Sequence, residues 1–82
     1  MPTTQPPPPI RSGQDFGSQI RAARKAQGLT QAELAAIAGV GTRFVSELER
    51  GKETARLGLA LEIAQLAGVD LIARPRKGRT HE

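Results

Sequence analysis

The segment that decides the fold runs from Gly28 to Lys52 and reads GLTQAELAAIAGVGTRFVSELERGK. Apolar residues recur along it at steps of three and four residues, the spacing of amphipathic helices that share a core. Thr30 can cap a helix while Glu33, three residues later, reaches back to the cap, so a helix begins there. Gly39 and Gly41 bracket Val40 and are both able to take positive φ. So short a connection predicts two helices that meet at a steep angle.

The second helix of this pair begins at about Thr42 and ends before Gly51. At about 100° per residue, its apolar residues share one arc and its hydrogen-bonding residues share the opposite one. The apolar arc holds Phe44, Val45 and Leu48, and the polar arc holds Thr42, Arg43, Ser46, Glu47 and Arg50. A helix with these two faces packs on a core through one side and presents hydrogen-bonding groups on the other.

One further helix is expected on each side of this pair. The first runs from about Asp15, as its N-cap, to Ala26, and Gly28 stops it. The residues that it buries are Phe16, Ile20 and Ala23. The fourth runs from about Arg56 to Ala67. The sequence therefore predicts an all-α fold, a compact domain of four to five helices over residues 15–73.

The fourth helix is apolar over more of its circumference than one core requires. The stripe expected to face the core holds Leu57, Ala60, Leu61, Ala64 and Ala67. A second stripe, Leu59, Ile63 and Leu66, needs a cover of its own. Because a single domain of this size is marginally stable, we expect a homodimer that pairs through the second stripe. The alternative cover is the domain's own terminal segment.

A β-branched run from Val69 to Ala73 follows this helix and is stopped by Pro75. It predicts a short strand, whose partner would be the same segment of a second subunit or a partner protein, because the chain has no other strand. We therefore expect Leu71 and Ile72 in the dimer interface. The alternative is a solvated extension.

The chain has 82 residues, a length that allows one small domain. The net charge of +4 lies in the termini, because seven basic and seven acidic residues balance between Asp15 and Asp70. The Pro-rich residues 1–14 and the basic residues 74–82 are expected to be flexible tails. A basic tail suits an anionic partner but is as often merely solvated, so net charge does not establish nucleic-acid binding.

Composition also argues against catalysis. With no Cys and a single His, zinc sites and catalytic thiols cannot be assembled, and Glu47 and Glu49 diverge around their helix. We expect no enzymatic activity, no cofactor and no metal. The chain has no apolar run of about 18 residues and its start lacks the features of a secretory signal, so we expect a soluble cytoplasmic protein without membrane contact.

The segment from Gly28 to Lys52 resembles the helix-turn-helix of the phage-repressor class of DNA-binding domains, the Cro and cI type. The residues that carry the resemblance are Thr30, Gln31, Ala35, Gly39, Val40, Val45 and the closing Glu49, Arg50 and Gly51. The resemblance extends from about Phe16 to Val69, and the whole region looks most like the HipB-like antitoxins, the DNA-binding halves of bacterial toxin–antitoxin operons.

A major groove about 12 Å wide admits one α-helix whose first turns face the base edges. The base-reading candidates are Thr42, Arg43, Ser46 and Glu47. Arg43 suits guanine, and Glu47 could accept from cytosine. The resemblance puts Gln31, at the start of the preceding helix, on a DNA phosphate. Arg50 and Lys52 are further candidates for phosphate contacts, with ordinary solvated charge as the alternative.

Four residues bear on the scaffold. Arg24 and Glu49 resemble a pair that joins the first and third helices in this family, and such a partly buried ion pair fixes geometry. Phe44 replaces the small polar residue of many relatives and either extends the apolar stripe or meets a thymine methyl. Gly41 replaces a polar N-cap, so the start of the third helix is less firmly capped.

The resemblance implies a dimeric repressor that binds an inverted repeat in double-stranded DNA and is associated with the bacterial nucleoid. Its sharper form is an antitoxin that represses its own operon and neutralises a HipA-like serine/threonine kinase toxin. A stand-alone or prophage regulator of the same fold is an alternative. A protein interaction module without DNA binding is another, against which Arg43 on the exposed face argues.

Overall fold

The computed structural model describes residues 8–76, which fold into four helices. They are α1 (Gly13–Ala26), α2 (Gln31–Ala38), α3 (Thr42–Glu49) and α4 (Leu57–Ala67). The predicted all-α fold is confirmed. No strand is formed within this range, and residues 69–73 lie outside any helix or strand, because a single chain offers no partner strand. Most of the two predicted tails, residues 1–7 and 77–82, lies outside the described residues.

The starts of α1 and α2 are both fixed by side-chain caps. For α1 the predicted N-cap is wrong, because Ser12 is the cap and its hydroxyl accepts from the backbone N–H of Asp15 at 3.0 Å. The Asp15 carboxylate instead accepts from the backbone N–H of Arg11 at 2.9 Å. For α2 the predicted capping box is confirmed, with Thr30 and Glu33 bonded reciprocally at 3.0 and 2.8 Å.

The connection between α2 and α3 uses only one of its two glycines for a left-handed conformation. Gly39 ends α2 with a φ of 73°, which side chains with a Cβ rarely adopt. Gly41 has a φ of −75° and is the N-cap of α3, so it does not use the positive φ that glycine allows. Because glycine has no side chain, α3 begins without a side-chain cap.

One core joins the four helices. Its buried apolar side chains within the described residues are Ile20, Leu34, Ala35, Val45, Leu48, Ala60, Ile63, Ala64 and Ala67. No helix in this part of the chain combines the length and the apolar character needed to cross a membrane.

The rotation of α4 about its axis differs from the prediction. Ile63, predicted for a dimer interface, is fully buried, whereas Leu57 and Leu61, predicted for the core, are 71% and 45% exposed. α4 packs on α1 and α2. Ala60 and Ala64 are small enough to let the backbones approach, and Ile63 lies on the same arc. Ile63 therefore belongs to the core of the chain.

α1 lies unusually close to the end of α3, and two glycines make this approach feasible. A Cβ atom at Gly17 would lie 2.6 Å from the carbonyl oxygen of Glu49, and one at Gly13 would lie 2.7 Å from that of Gly51. Neither oxygen can move without shifting the backbone. The two glycines therefore set the spacing between α1 and α3, which the helical periodicity of the sequence does not indicate.

Candidate nucleic-acid interface

α3 has the two faces that its sequence predicts. Val45 and Leu48 are buried, and Phe44 is half-buried against the same core, so Phe44 extends the apolar face. On the polar side, Thr42 and Arg43 are exposed, and Ser46 and Glu47 are half-buried. α1 and α2 pack behind α3. The four predicted base-reading residues therefore all keep part of their surface open to solvent.

Three charged residues on this side form one cluster, here called the Glu47 cluster: Arg43, Glu47 and Lys52. One carboxylate oxygen of Glu47, Oε2, accepts from Arg43 Nε at 3.1 Å, and the other, Oε1, accepts from Lys52 Nζ at 3.0 Å. The hydrogen bond from Lys52, followed by that from Arg43, holds the pKa of Glu47 below its ordinary value. Glu47 is therefore negatively charged at neutral pH, with a cation on each oxygen.

The backbone places Lys52 in this cluster. Gly51, with a φ of 95°, turns the chain back over the end of α3. The N–H of Gly51 donates to the carbonyl of Leu48 at 3.0 Å, and the N–H of Lys52 donates to the carbonyl of Glu47 at 3.1 Å. These are the two bonds of a Schellman motif. The motif brings Lys52 beside Glu47, which the spacing of the two residues along a continuous helix would not predict.

Behind this surface, a buried ion pair ties α3 to α1, as the sequence predicts. Glu49 accepts from Arg24 Nε at 2.6 Å and from Arg24 Nη2 at 3.0 Å, and the two side chains are 2% and 8% exposed. Arg24 Nη1 also donates to the carbonyl of Leu29 at 2.7 Å. Burial alone would raise the pKa of Glu49, but hydrogen bonds from Arg24 and Gln31 and the charge of Arg24 lower it overall.

Two of the predicted phosphate contacts lie away from the Glu47 cluster. The side-chain amide of Gln31 donates to Glu49 Oε1 at 3.0 Å, so in the free protein it belongs to the buried network. Sequence reasoning missed this bond, because residues 31 and 49 lie on different helices. Arg50 caps the end of α3 and borders a cleft of about 550 Å³ with Gln14, Asp15 and Ser18 of α1. Of the three predicted phosphate contacts, only Lys52 is hydrogen-bonded to a predicted base-reading residue, Glu47.

The remaining predicted interface residues lie at the other end of the chain. Leu59 and Leu66 are half-buried, whereas Leu71 and Ile72 are exposed, Ile72 by 85%. The segment that carries Leu71 and Ile72 faces residues 8–11 across an open groove of about 970 Å³. Together with the exposed Leu57 and Leu61 on α4, these side chains leave considerable apolar surface uncovered in a single chain.

An exposed polar helix that follows a glycine turn, supported from behind by a second helix, defines a helix-turn-helix domain. Residues 20–72 match the family model HTH_3, Helix-turn-helix. The chain therefore belongs to this family of DNA-binding domains of transcriptional regulators.

Two relatives carry the name of uncharacterized HTH-type transcriptional regulators, both from Sinorhizobium fredii strain NGR234. The first, y4mF, is 46% identical over 66 residues, which cover 78% of this chain and 87% of y4mF. The second, y4dL, is 36% identical over 59 residues, which cover 72% of this chain but 30% of y4dL. The likeness to y4mF therefore spans most of both chains.

The fold is similar to that of HipB. Chains of a HipB–O4 20mer complex and of a HipA–HipB–O2–O3 complex superpose with TM-scores of 0.75 and 0.76, each at 23% identity. Each superposition covers 85% of this chain and 99% of the other. The expected resemblance is confirmed at the level of the fold.

Proposed function

We propose that this chain is a sequence-specific transcriptional repressor that binds an inverted repeat in double-stranded DNA as a homodimer. The observation that carries the proposal is the outer face of α3, where the Arg43 side chain is 88% exposed. A helix with a buried apolar face and an open polar face can enter a major groove while the helix before it crosses the DNA backbone.

Within this proposal the polar side chains divide by what they contact. Arg43 bonds a guanine, and Thr42 and Ser46 donate to or accept from base edges nearby. Lys52 and Arg50 bind phosphates. Gln31 reaches a phosphate by giving up the side-chain bond to Glu49, or donates to it from its backbone N–H at the start of α2.

The dimer covers apolar surface that the single chain leaves open. Its proposed contacts are Leu59, Leu66, Leu71 and Ile72, together with Leu57 and Leu61. Segments 69–73 of two subunits pair as the two-stranded sheet that one chain cannot form. The two recognition helices then need a separation of about 34 Å to enter successive major grooves on one side of the duplex.

Replacing Arg43 tests base reading directly. DNA sequences are first selected by the wild-type protein from a randomised duplex library, and the affinities for a selected and a scrambled duplex are compared by gel shift. Because a good bidentate contact discriminates by about 1–3 kcal/mol, Arg43→Ala should lower the affinity ratio by about fivefold to 150-fold. Arg56→Ala, at the exposed start of α4, is the charge-matched control. An unchanged ratio in Arg43→Ala would contradict the assignment.

We further propose that the repressor is an antitoxin that neutralises a HipA-like kinase toxin. Support comes from the fold similarity, which spans nearly the whole HipB chain, including that of a complex with HipA. A kinase-like reading frame beside this gene, whose expression arrests growth unless this chain is co-expressed, would support the proposal. A neighbourhood without such a frame would favour a stand-alone regulator.

A further inference from the structure

Glu47 is the last of the four predicted base-reading residues, yet both of its oxygens already hold a cation. Arg43 Nε occupies Oε2 and Lys52 Nζ occupies Oε1. To accept a hydrogen bond from the amino group of cytosine, Glu47 would have to share one of these oxygens with the base or release a cation. The Glu47 side chain is also only 23% exposed, in contrast to 88% for that of Arg43. Its position therefore favours contacts with its neighbours over contact with a base.

The hydrogen bond between Arg43 and Glu47 leaves the two Nη groups of the guanidinium available to DNA. Arg43 is held through Nε, and within residues 8–76 neither of its Nη nitrogens makes a hydrogen bond. Two Nη groups side by side match the O6 and N7 acceptors of guanine. The Arg43 side chain is long and almost wholly exposed, so without a partner it would sample many orientations. Its hydrogen bond to Glu47, one helical turn further along α3, restricts these orientations before DNA binds.

The hydrogen bond between Lys52 and Glu47 depends on the backbone, which fixes where Lys52 lies relative to α3. The Schellman motif at Gly51 places Lys52 over the last turn of α3. Glu47 then holds the ammonium group at the edge of the recognition face, where a phosphate lies when the helix is in the groove. A carboxylate at this point also repels phosphates that approach the face in a wrong register.

We infer that Glu47 is a positioning residue that orients Arg43 towards guanine and Lys52 towards a phosphate, and does not itself read a base. The inference rests on the proposed function. It gives two effects of opposite sign for Glu47→Gln. Discrimination between DNA sequences falls because Arg43 is no longer oriented, while affinity for non-specific DNA rises because a negative charge has left the interface.

A double-mutant cycle tests the inference. Wild type, Glu47→Gln, Arg43→Ala and the double variant are titrated with a selected and a scrambled duplex at several salt concentrations. We expect Glu47→Gln to lower the affinity ratio by about two- to fivefold in the wild-type background, because a surface ion pair of this kind contributes little free energy, and to leave it unchanged in the Arg43→Ala background. Glu62→Gln, on the exposed side of α4, removes the same charge elsewhere and should leave the ratio at the wild-type value.

Two further readouts separate positioning from a purely structural role. The urea midpoint of Glu47→Gln should stay close to that of wild type, because ion pairs at the protein surface contribute little to stability. The affinity for scrambled DNA should rise and depend more steeply on salt. A fall in discrimination that accompanies a large fall in the urea midpoint would overturn the inference.

Other outcomes are equally decisive. Equal losses in both backgrounds, with a new preference at a separate base pair, would mean that Glu47 reads a base itself. If Glu47→Gln has the same ratio of affinities for the selected and the scrambled duplex as wild type, the inference is overturned and the proposed function remains intact. A wild-type protein without any sequence preference would overturn both.

Discussion

Removing the buried carboxylate of Glu49 should greatly weaken the attachment of α3 to α1. Glu49→Ala takes away the partner of the Arg24 guanidinium, whose side chain is only 8% exposed, and the acceptor of the Gln31 amide. Arg24 keeps one bond, to the carbonyl of Leu29 at 2.7 Å. Every buried side-chain polar atom among the described residues has a partner in the wild type, and the variant would break that condition.

The expected loss is about 3 kcal/mol of unfolding free energy. Breaking a buried ion pair from one side costs about 3–5 kcal/mol, because the remaining charge is left uncompensated. We expect the lower end because Arg24 keeps its bond to Leu29 and sits near enough to the surface to recruit water. Small domains have total stabilities of about 5–15 kcal/mol, so the variant would lose a large share of its stability.

Urea unfolding followed by circular dichroism measures this loss as a lower midpoint at constant slope. The control is Arg24→Met combined with Glu49→Leu, which removes both charges, keeps the apolar volume and should recover most of the stability. A Glu49→Ala midpoint equal to wild type would refute the reasoning. So would a double variant no more stable than Glu49→Ala.

Three further predictions concern packing, pH and assembly. Gly17→Ala should cost about 1–3 kcal/mol of unfolding free energy because its Cβ meets the backbone of α3, whereas Gly58→Ala, with open space around it, should add up to about 1 kcal/mol. Stability should fall as pH drops through the range below the ordinary glutamate pKa: the folded pKa of Glu49 is lowered, so the unfolded chain binds the proton first. Leu61→Lys and Ile72→Lys should each weaken the proposed dimer in sedimentation equilibrium.

Each of these predictions has an outcome that contradicts it. Equal urea midpoints for Gly17→Ala and wild type would show that α1 and α3 separate at little cost. A Glu49→Gln variant that loses stability in acid as steeply as wild type would assign the pH dependence to other groups. A wild type that sediments as a monomer at every concentration tested would remove the dimer and, with it, the inverted repeat.

The helix-turn-helix unit was predictable because its signals are local. The Thr30 and Glu33 capping box and the left-handed Gly39 each involve residues within one turn of the chain. The two faces of α3 follow from helical periodicity alone, and Val45 and Leu48 are buried as predicted. Signals of this kind need no knowledge of the rest of the fold.

The rotation of α4 and the side-chain networks depend on neighbours that are distant in sequence. Leu61 and Ile63 are equally suited to a core, and only the close approach of α4 to α1 and α2 decides that Ile63 fills it. The bond from Gln31 to Glu49 joins two helices. The bond from Arg43 to Glu47 has the spacing of a helical ion pair and could have been predicted, whereas Lys52 reaches Glu47 only through the turn at Gly51.

The most direct test of the central claim is an NMR measurement on the complex with a selected DNA duplex. Contacts between protein side chains and base protons are recorded as intermolecular nuclear Overhauser effects. We predict contacts from Arg43 and Ser46 to protons in the major groove, and amide shift changes concentrated in α3 and at the start of α2. Contacts confined to α1, α4 or the termini, with the α3 signals unchanged, would contradict the assignment of α3 as the recognition helix.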